Sequence, residues 1–290
     1  MNDLFLIQPS CCETITEFKS LLERFGFESG RYIVPFPMNW EQKVRASFAG
    51  LGDLDKARLT QLLRRATEKN RYHKMPVSYS EGKSWVENAT PKLAGNAFQA
   101  AVSDRPGPDP AIPKFETLDS LDLPPTAEER ISSKPAEFRR VTKSLLSVAR
   151  EVWVIDPYLN PVMIDRQRAL LPILENSRDN AMRIEIWVRE ANCQAQDAAL
   201  IADLKTLKTR AGLDAKCKLS LHLVDDKATA DRMHARYIFS KFGGIRFDQG
   251  FQEMNALQDV MPVMPGLVDQ LVARYATGAS NGIVKRLISV

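Results

Sequence analysis

Glu151-Val152-Trp153-Val154-Ile155-Asp156-Pro157-Tyr158 is the stretch that decides how this chain folds. A nearly continuous apolar run, closed by a carboxylate and a proline, reads as a strand buried on both faces. Before it, Glu137 to Arg150 sets Phe138, Val141, Leu145, Val148 and Ala149 along one side of an amphipathic helix. After it the pattern alternates. Asp165 to Leu174 reads as helix, Arg183 to Val188 as strand, Gln194 to Ala211 as helix and Lys218 to Val224 as a third strand. Tyr237 to Phe239 and Ile245 to Phe247 extend the sheet, and Leu267 to Tyr275 reads as a final helix. Strands separated by helices imply right-handed crossovers and a mainly parallel sheet. Residues 136–290 are therefore expected to form an α/β domain.

Working back from that domain, residues 104–135 read as a proline-rich linker. Ser103-Asp104-Arg105-Pro106-Gly107-Pro108-Asp109-Pro110 cannot sustain a helix or a central strand, and Pro113, Pro124, Pro125 and Pro135 break the chain again. Residues 1–103 read as a mostly helical N-terminal module. Thr16 to Phe25 carries Phe18, Leu21, Leu22 and Phe25 at helical spacing, and Asn39 can cap a helix from Trp40 to Phe48. A further helix starts at Asp53 or Asp55 with Leu54, Leu59, Leu62 and Leu63 facing inward. Glu81 to Ala101, with Trp85 in the core, reads as one or two helices interrupted at Pro91.

Bulk properties narrow the function classes. Among 290 residues, 40 basic side chains nearly balance 36 acidic ones, and the net charge of +4 permits contact with phosphate without requiring it. No apolar run approaches the roughly 20 residues that span a bilayer. The start, Met1-Asn2-Asp3-Leu4-Phe5, lacks the basic region of a secretory signal, so a cytoplasmic location is expected. Cys11, Cys12, Cys193 and Cys217, with His73, His222 and His234, have no metal-site spacing. Neither a metal nor another cofactor is expected.

Two features carry chemistry. In Met233-His234-Ala235-Arg236-Tyr237-Ile238-Phe239-Ser240 a histidine and an arginine stand two residues apart at the mouth of a strand, on one face. One is a nucleophile or proton shuttle, the other a planar phosphate clamp. Gly243-Gly244 reads as a tight turn into the next strand. Ligands of open α/β sheets bind beyond the carboxyl ends of the parallel strands. Asp156, Tyr158, Arg189 and the pair Asp225-Asp226 fall there, making Asp156, Tyr158, Arg189, His234 and Arg236 the candidate phosphate-binding set. The second feature is the basic tract of Arg64, Arg65, Lys69, Arg71 and Lys74, with Tyr72, Tyr79 and Trp85 interleaved. Such a tract can follow a nucleic-acid backbone, or be a solvated helix face.

From Asp156-Pro157-Tyr158 to His234-Ala235-Arg236 and Gly243-Gly244, the order and spacing resemble one half of a phospholipase D-like fold, whose signature is His-x-Lys-x4-Asp. Here Arg236 replaces the lysine, Lys241 stands at the aspartate position, and Asp248-Gln249-Gly250-Phe251 occupies the place of a Gly-Ser-x-Asn element. The resemblance implies a covalent phosphohistidine on His234 if the site is active, with Arg236 beside it, and a homodimer that pairs two copies of His234. Asp248, Asp156 or Glu253 could then stand in for the aspartate. The chain is also similar to the phospholipase D-like C-terminal domain of MIT-domain proteins and to degenerate relatives in bacterial anti-phage systems. These imply a phosphate-binding site for nucleic acid, within a larger assembly. An active homodimeric, metal-independent phosphodiesterase or nuclease stays open as the alternative, and an adaptor for acidic lipid as a third.

Overall fold

Five residues at the start of the chain, Asp3–Ile7, form the first strand, β1, where no element was expected. The computed structural model describes residues 3–69, 71–73, 75, 77–94, 98–104, 115–118, 121, 123, 128–227, 232–276 and 283–290. After β1 come α1 (Ile15–Glu23), β2 (Arg31–Val34), α2 (Trp40–Ser47), α3 (Asp53–Glu68), α4 (Trp85–Leu93), β3 (Ala100–Val102) and β4 (Phe115–Glu116). A capping box opens α1, Thr14 accepting from the Glu17 N–H while Glu17 reaches back to Thr14.

The expectation of a mostly helical N-terminal module is corrected. Its strands make one sheet, ordered β2-β1-β3-β4, with each described pairing parallel. They escaped periodicity because they are two to five residues long. Pairing with β1 also overrides the helical preference of Ala100 and Ala101. The sheet is covered on both sides. Phe5 and Ile7 pack with Phe18, Leu22, Trp40, Val44, Leu59 and Leu63, whereas Leu6 between them packs with Phe36, Trp85, Ala89 and Leu93. Leu54, expected inward, is exposed, because the buried stripe of α3 is Leu59, Leu63 and Ala66. Helix α4 runs through Pro91 rather than stopping at it. Both Pro91 and Glu87, whose carbonyl loses a partner there, face solvent.

The chain divides into compact units at Thr126/Ala127. Of the stretch read as linker, the described part holds β4, the strand β5 (Glu129–Ser132) and the first residue of α5 (Pro135–Leu146); most of 105–127 lies outside the described residues. The second unit continues with β6 (Glu151–Ile155), α6 (Ile164–Ser177), β7 (Arg183–Arg189), α7 (Asp197–Arg210), β8 (Lys218–Val224), β9 (Arg236–Ser240), β10 (Gly243–Phe247), β11 (Leu257–Pro262), α8 (Pro265–Tyr275) and β12 (Val284–Ser289).

Its sheet runs β12-β8-β7-β6-β9-β10-β11-β5. It is α/β, as the alternation implies, but the expectation of a mainly parallel sheet is corrected. Only β6, β7 and β8, joined by the helical crossovers α6 and α7, pair in parallel, and the flanking strands are antiparallel. Connection length explains this. A two-residue turn at Lys241-Phe242 can join only antiparallel neighbours. The glycine pair is not that turn. Gly243 and Gly244 pair with Ser240 and Phe239 inside the ladder, and a Cβ at Gly244 would sit 2.9 Å from that of Phe239. One sheet face gathers Trp153, Ile155, Trp187 and Phe239 beneath Val268, Leu271 and Tyr275 of α8. The alternate residues Val152, Val154, Ile184 and Ile186 are buried on the other face. No described helix is long and apolar enough to cross a membrane.

Candidate functional site

Two buried carboxylates stand just past the ends of parallel strands, and each fastens backbone segments together. Asp156 follows β6. Its Oδ1 accepts the Tyr158 N–H at 2.9 Å, and its Oδ2 accepts the Phe251 N–H at 3.0 Å. The second contact requires Gly250, whose φ of 86° lies in the left-handed region; a Cβ there would come 2.5 Å from Asp156 Oδ2 and 3.3 Å from Arg236 Cγ. Burial holds the Asp156 carboxyl above the usual range, against the pull of those N–H bonds and of Arg236 and Arg166. Arg166 was not singled out in the sequence, because a basic residue in an amphipathic helix carries no local signal.

Asp226 follows β8 and makes the second clamp. Arg189, at the end of β7, donates from Nε to Oδ1 at 2.9 Å and from Nη2 to Oδ2 at 3.0 Å. The same pair grips Met233 from both sides. Asp226 Oδ2 accepts the Met233 N–H at 2.7 Å, and Arg189 Nη2 donates to the Met233 carbonyl at 2.8 Å. Burial pushes the Asp226 carboxyl up, but the Arg189 and Met233 bonds outweigh it and leave it below its ordinary value. The residue before His234 is thus fixed by a bidentate ion pair.

Between the clamps lies Tyr158, 43% exposed. The Arg236 guanidinium stands 4.9 Å from its ring centroid and that of Arg189 5.8 Å. Arg236 opens β9, donates from Nη1 to the Asp248 carbonyl at 2.8 Å, and has a buried Nε with no partner. His234 is exposed and sits two residues before the strand rather than on it. The structure therefore brings Asp156, Tyr158, Arg189 and Arg236 together at one end of the sheet, with His234 held beside them through Met233. Their jobs differ. Asp156, Asp226 and Arg189 are engaged with the protein itself, Arg236 is half-buried between Tyr158 and the Asp248 carbonyl, and His234 is exposed to solvent. A neighbouring cleft of about 470 Å³ includes Arg189, Asp225, Lys227 and Arg286 in its lining but neither His234 nor Arg236.

Of Asp248, Asp156 and Glu253, the described carboxylates considered as stand-ins for the signature aspartate, none is free. Lys241 lies at the far end of β9, where its Nζ pairs with Glu151 at 2.7 Å. Asp248 uses its Oδ1 for the Asp259 N–H at 3.1 Å, Glu253 pairs with Arg168 at 3.3 Å, and Asp156 is filled by two N–H groups. Among the described residues no hydrogen bond joins His234 to a carboxylate. His222, in mid-strand, is stacked on Trp187 with centroids 4.1 Å apart.

In the first unit, Arg64 and Arg65 lie exposed on α3, Lys69 caps it, and Arg64 pairs with Glu68 at 3.3 Å. Arg71 is half-buried with an unpartnered Nε, and Lys74 lies outside the described residues.

No family model matches the chain. No curated protein is similar to it. Among solved structures the archaeal chromatin protein TrmBL2, described as showing a novel mode of DNA binding, is similar at a TM-score of 0.31 and 10% identity, over 87% of this chain and 71% of that one. A likeness that slight carries no argument about fold or function.

Proposed function

We propose that the chain binds the phosphates of nucleic acid through a degenerate phospholipase D-like site at His234 and Arg236, as a binding subunit of a larger assembly rather than as a catalyst. One observation carries this reading. Half-buried Arg236 leans on Tyr158 and gives Nη1 to the Asp248 carbonyl in an exposed hydrogen bond, beside the exposed His234. Arginine binds a phosphate oxygen as a planar donor that stays charged at every physiological pH, and the exposed edge of this guanidinium is where such a contact would form. His234 is exposed beside it without the carboxylate that would orient an imidazole for covalent attack. The exposed Arg64, Arg65 and Lys69 on α3 would add backbone contacts that carry no sequence preference.

Fluorescence anisotropy with a labelled single strand and a duplex tests this across a salt series. Arg236→Ala should weaken binding by about tenfold, the loss of one charge-assisted contact, and His234→Ala by less. Charge reversal of Arg64, Arg65 and Lys69 should flatten the salt dependence. The rival, an active homodimeric nuclease, draws on the exposure of His234, which leaves it open to a second copy. Metal-independent cleavage that vanishes in His234→Ala would overturn the binding reading in favour of the nuclease.

A further inference from the structure

In the first unit, β2 and β3 flank β1 on opposite sides, so the chain reverses its direction of travel across the sheet after β2. Parallel sheets open a crevice at such a reversal, beyond the carboxyl ends of their strands. Cys11 and Cys12 stand in the loop that follows β1 there. The Gln8 N–H ties the start of this loop to β3, donating to the Val102 carbonyl at 2.8 Å, and the Cys11 N–H donates to the Gln8 carbonyl at 3.1 Å. On the other flank the Glu13 N–H donates to Glu17 Oε2 at 2.9 Å, and Thr14 caps α1. Between these anchors the two thiols meet, with 3.8 Å between their Sγ atoms. Both are free, and the residues are 8% and 5% exposed.

Two chemistries suit a pair of touching thiols, and burial separates them. Holding a thiophilic metal ion takes thiolates, whose charge a buried position penalises. Hydrogen bonding to Cys12, and burial after it, hold the Cys11 thiol far above its ordinary value. A disulfide is as neutral as the thiols it replaces, so burial does not oppose it. Backbone geometry then sets the character of that bond. Consecutive Cα atoms lie about 3.8 Å apart across a trans peptide, short of the roughly 4.4 Å at which ordinary disulfides begin. A bond between neighbours is therefore strained, and strained disulfides are the readily reduced ones. It also closes almost no loop, so it adds little stability. Such a bond suits a switch and not a staple.

We propose that Cys11 and Cys12 form a reversible redox site, oxidised by a small hydroperoxide to a disulfide between neighbours. One thiolate attacks a peroxide oxygen and breaks the O–O bond; the hydroxide released takes up a proton as water, and the sulfur becomes a sulfenic acid. The second sulfur attacks the first, the S–O bond breaks, and a second water leaves as the S–S bond forms. The thiols lose two electrons and the peroxide gains them. The inference is independent of the phosphate reading, since Arg236 belongs to the other unit.

Peptide mass spectrometry tests it, on the full chain treated with hydrogen peroxide while folded and then unfolded and alkylated. Trypsin releases residues 1–19 as one peptide that carries both cysteines. This peptide should have lost both thiol hydrogens and accept no alkyl group, and dithiothreitol should restore both thiols. Cys11→Ser and Cys12→Ser should each abolish the hydrogen loss. Met264, 74% exposed, reports the dose by its conversion to the sulfoxide. Two alkylated cysteines in the peptide at a dose that oxidises Met264 overturn the proposal. So does a disulfide from Cys11 or Cys12 to Cys193, to Cys217 or to a second chain.

Discussion

The two ends of β6 each carry a carboxylate, and they do opposite things. Glu151 begins the strand in partial contact with water, paired with Lys241 at 2.7 Å and Arg183 at 2.6 Å. Lys241 first, and Arg183 after it, hold its carboxyl below the ordinary value. Asp156 follows the other end at 1% exposure and organises two loops through backbone N–H groups. Asp226, also 1% exposed, fixes Met233 in the same way two crossovers away. The lesson concerns screening. An exposed ion pair trades water for a partner at little net gain, whereas a buried carboxylate must be satisfied by fixed donors and so fixes whatever carries them.

Breaking the buried end should have the largest effect. Asp226→Ala removes the partner of Arg189 and of the Met233 N–H, and should destabilise the chain by about 3 to 5 kcal/mol. Urea unfolding of the variant measures this, and a loss under 1 kcal/mol would mean the clamp is ornamental.

Midway along the strands, His222 sharpens the comparison by pH. Burial, with Lys218 and Arg183 nearby, lowers its pKa from 6.5 to about 4, although Glu185 stands 3.8 Å away. That carboxylate is already engaged by Trp153 Nε1 at 3.0 Å, and burial wins. A histidine that folds neutral contributes fully above its unfolded pKa. Stability should therefore be complete above pH 6.5 and fall by about 3 kcal/mol as the pH drops toward 4. Thermal melts across that window should show the slope, and His222→Leu should flatten it; an unchanged slope would place the acid sensitivity elsewhere.

The exposed end should yield the smallest effect. Lys241→Ala breaks an ion pair whose lysine is 62% exposed, and should cost less than about 0.5 kcal/mol. It should also leave oligonucleotide affinity untouched, because Lys241 lies at the opposite end of the sheet from Arg236. A clear loss of affinity would contradict that separation.

The central α/β run was legible because β6, β7 and β8 are apolar strands set between amphipathic helices, and the alternation of the two patterns shows in the sequence. β8 spans Lys218–Val224, as the alternation predicted. The positions of Asp156 and Tyr158 after β6, of Arg189 at the end of β7 and of Arg236 at the start of β9 followed from the same strand pattern. The first sheet was not legible. Elements such as Ala100–Val102 and Phe115–Glu116 hold too few residues to show any period, and exist through pairing with β1 and with one another. Nor were β11 and β12 legible, because they are defined by pairing with β10, β5 and β8, which lie far off in the chain or arrive by long connections.

By itself, the sequence determined which segments alternate and which side chains carry chemistry, since both depend on residue type and local spacing. Tertiary structure alone decided which of those side chains are free. Arg189 and Arg236 look alike in sequence, but one is closed on the Asp226 carboxylate and the other leans on Tyr158 and meets only a backbone carbonyl, that of Asp248. Burial and partnership are relations between residues far apart in the chain, and it is these relations, set by packing, that fix what a polar group can still bind.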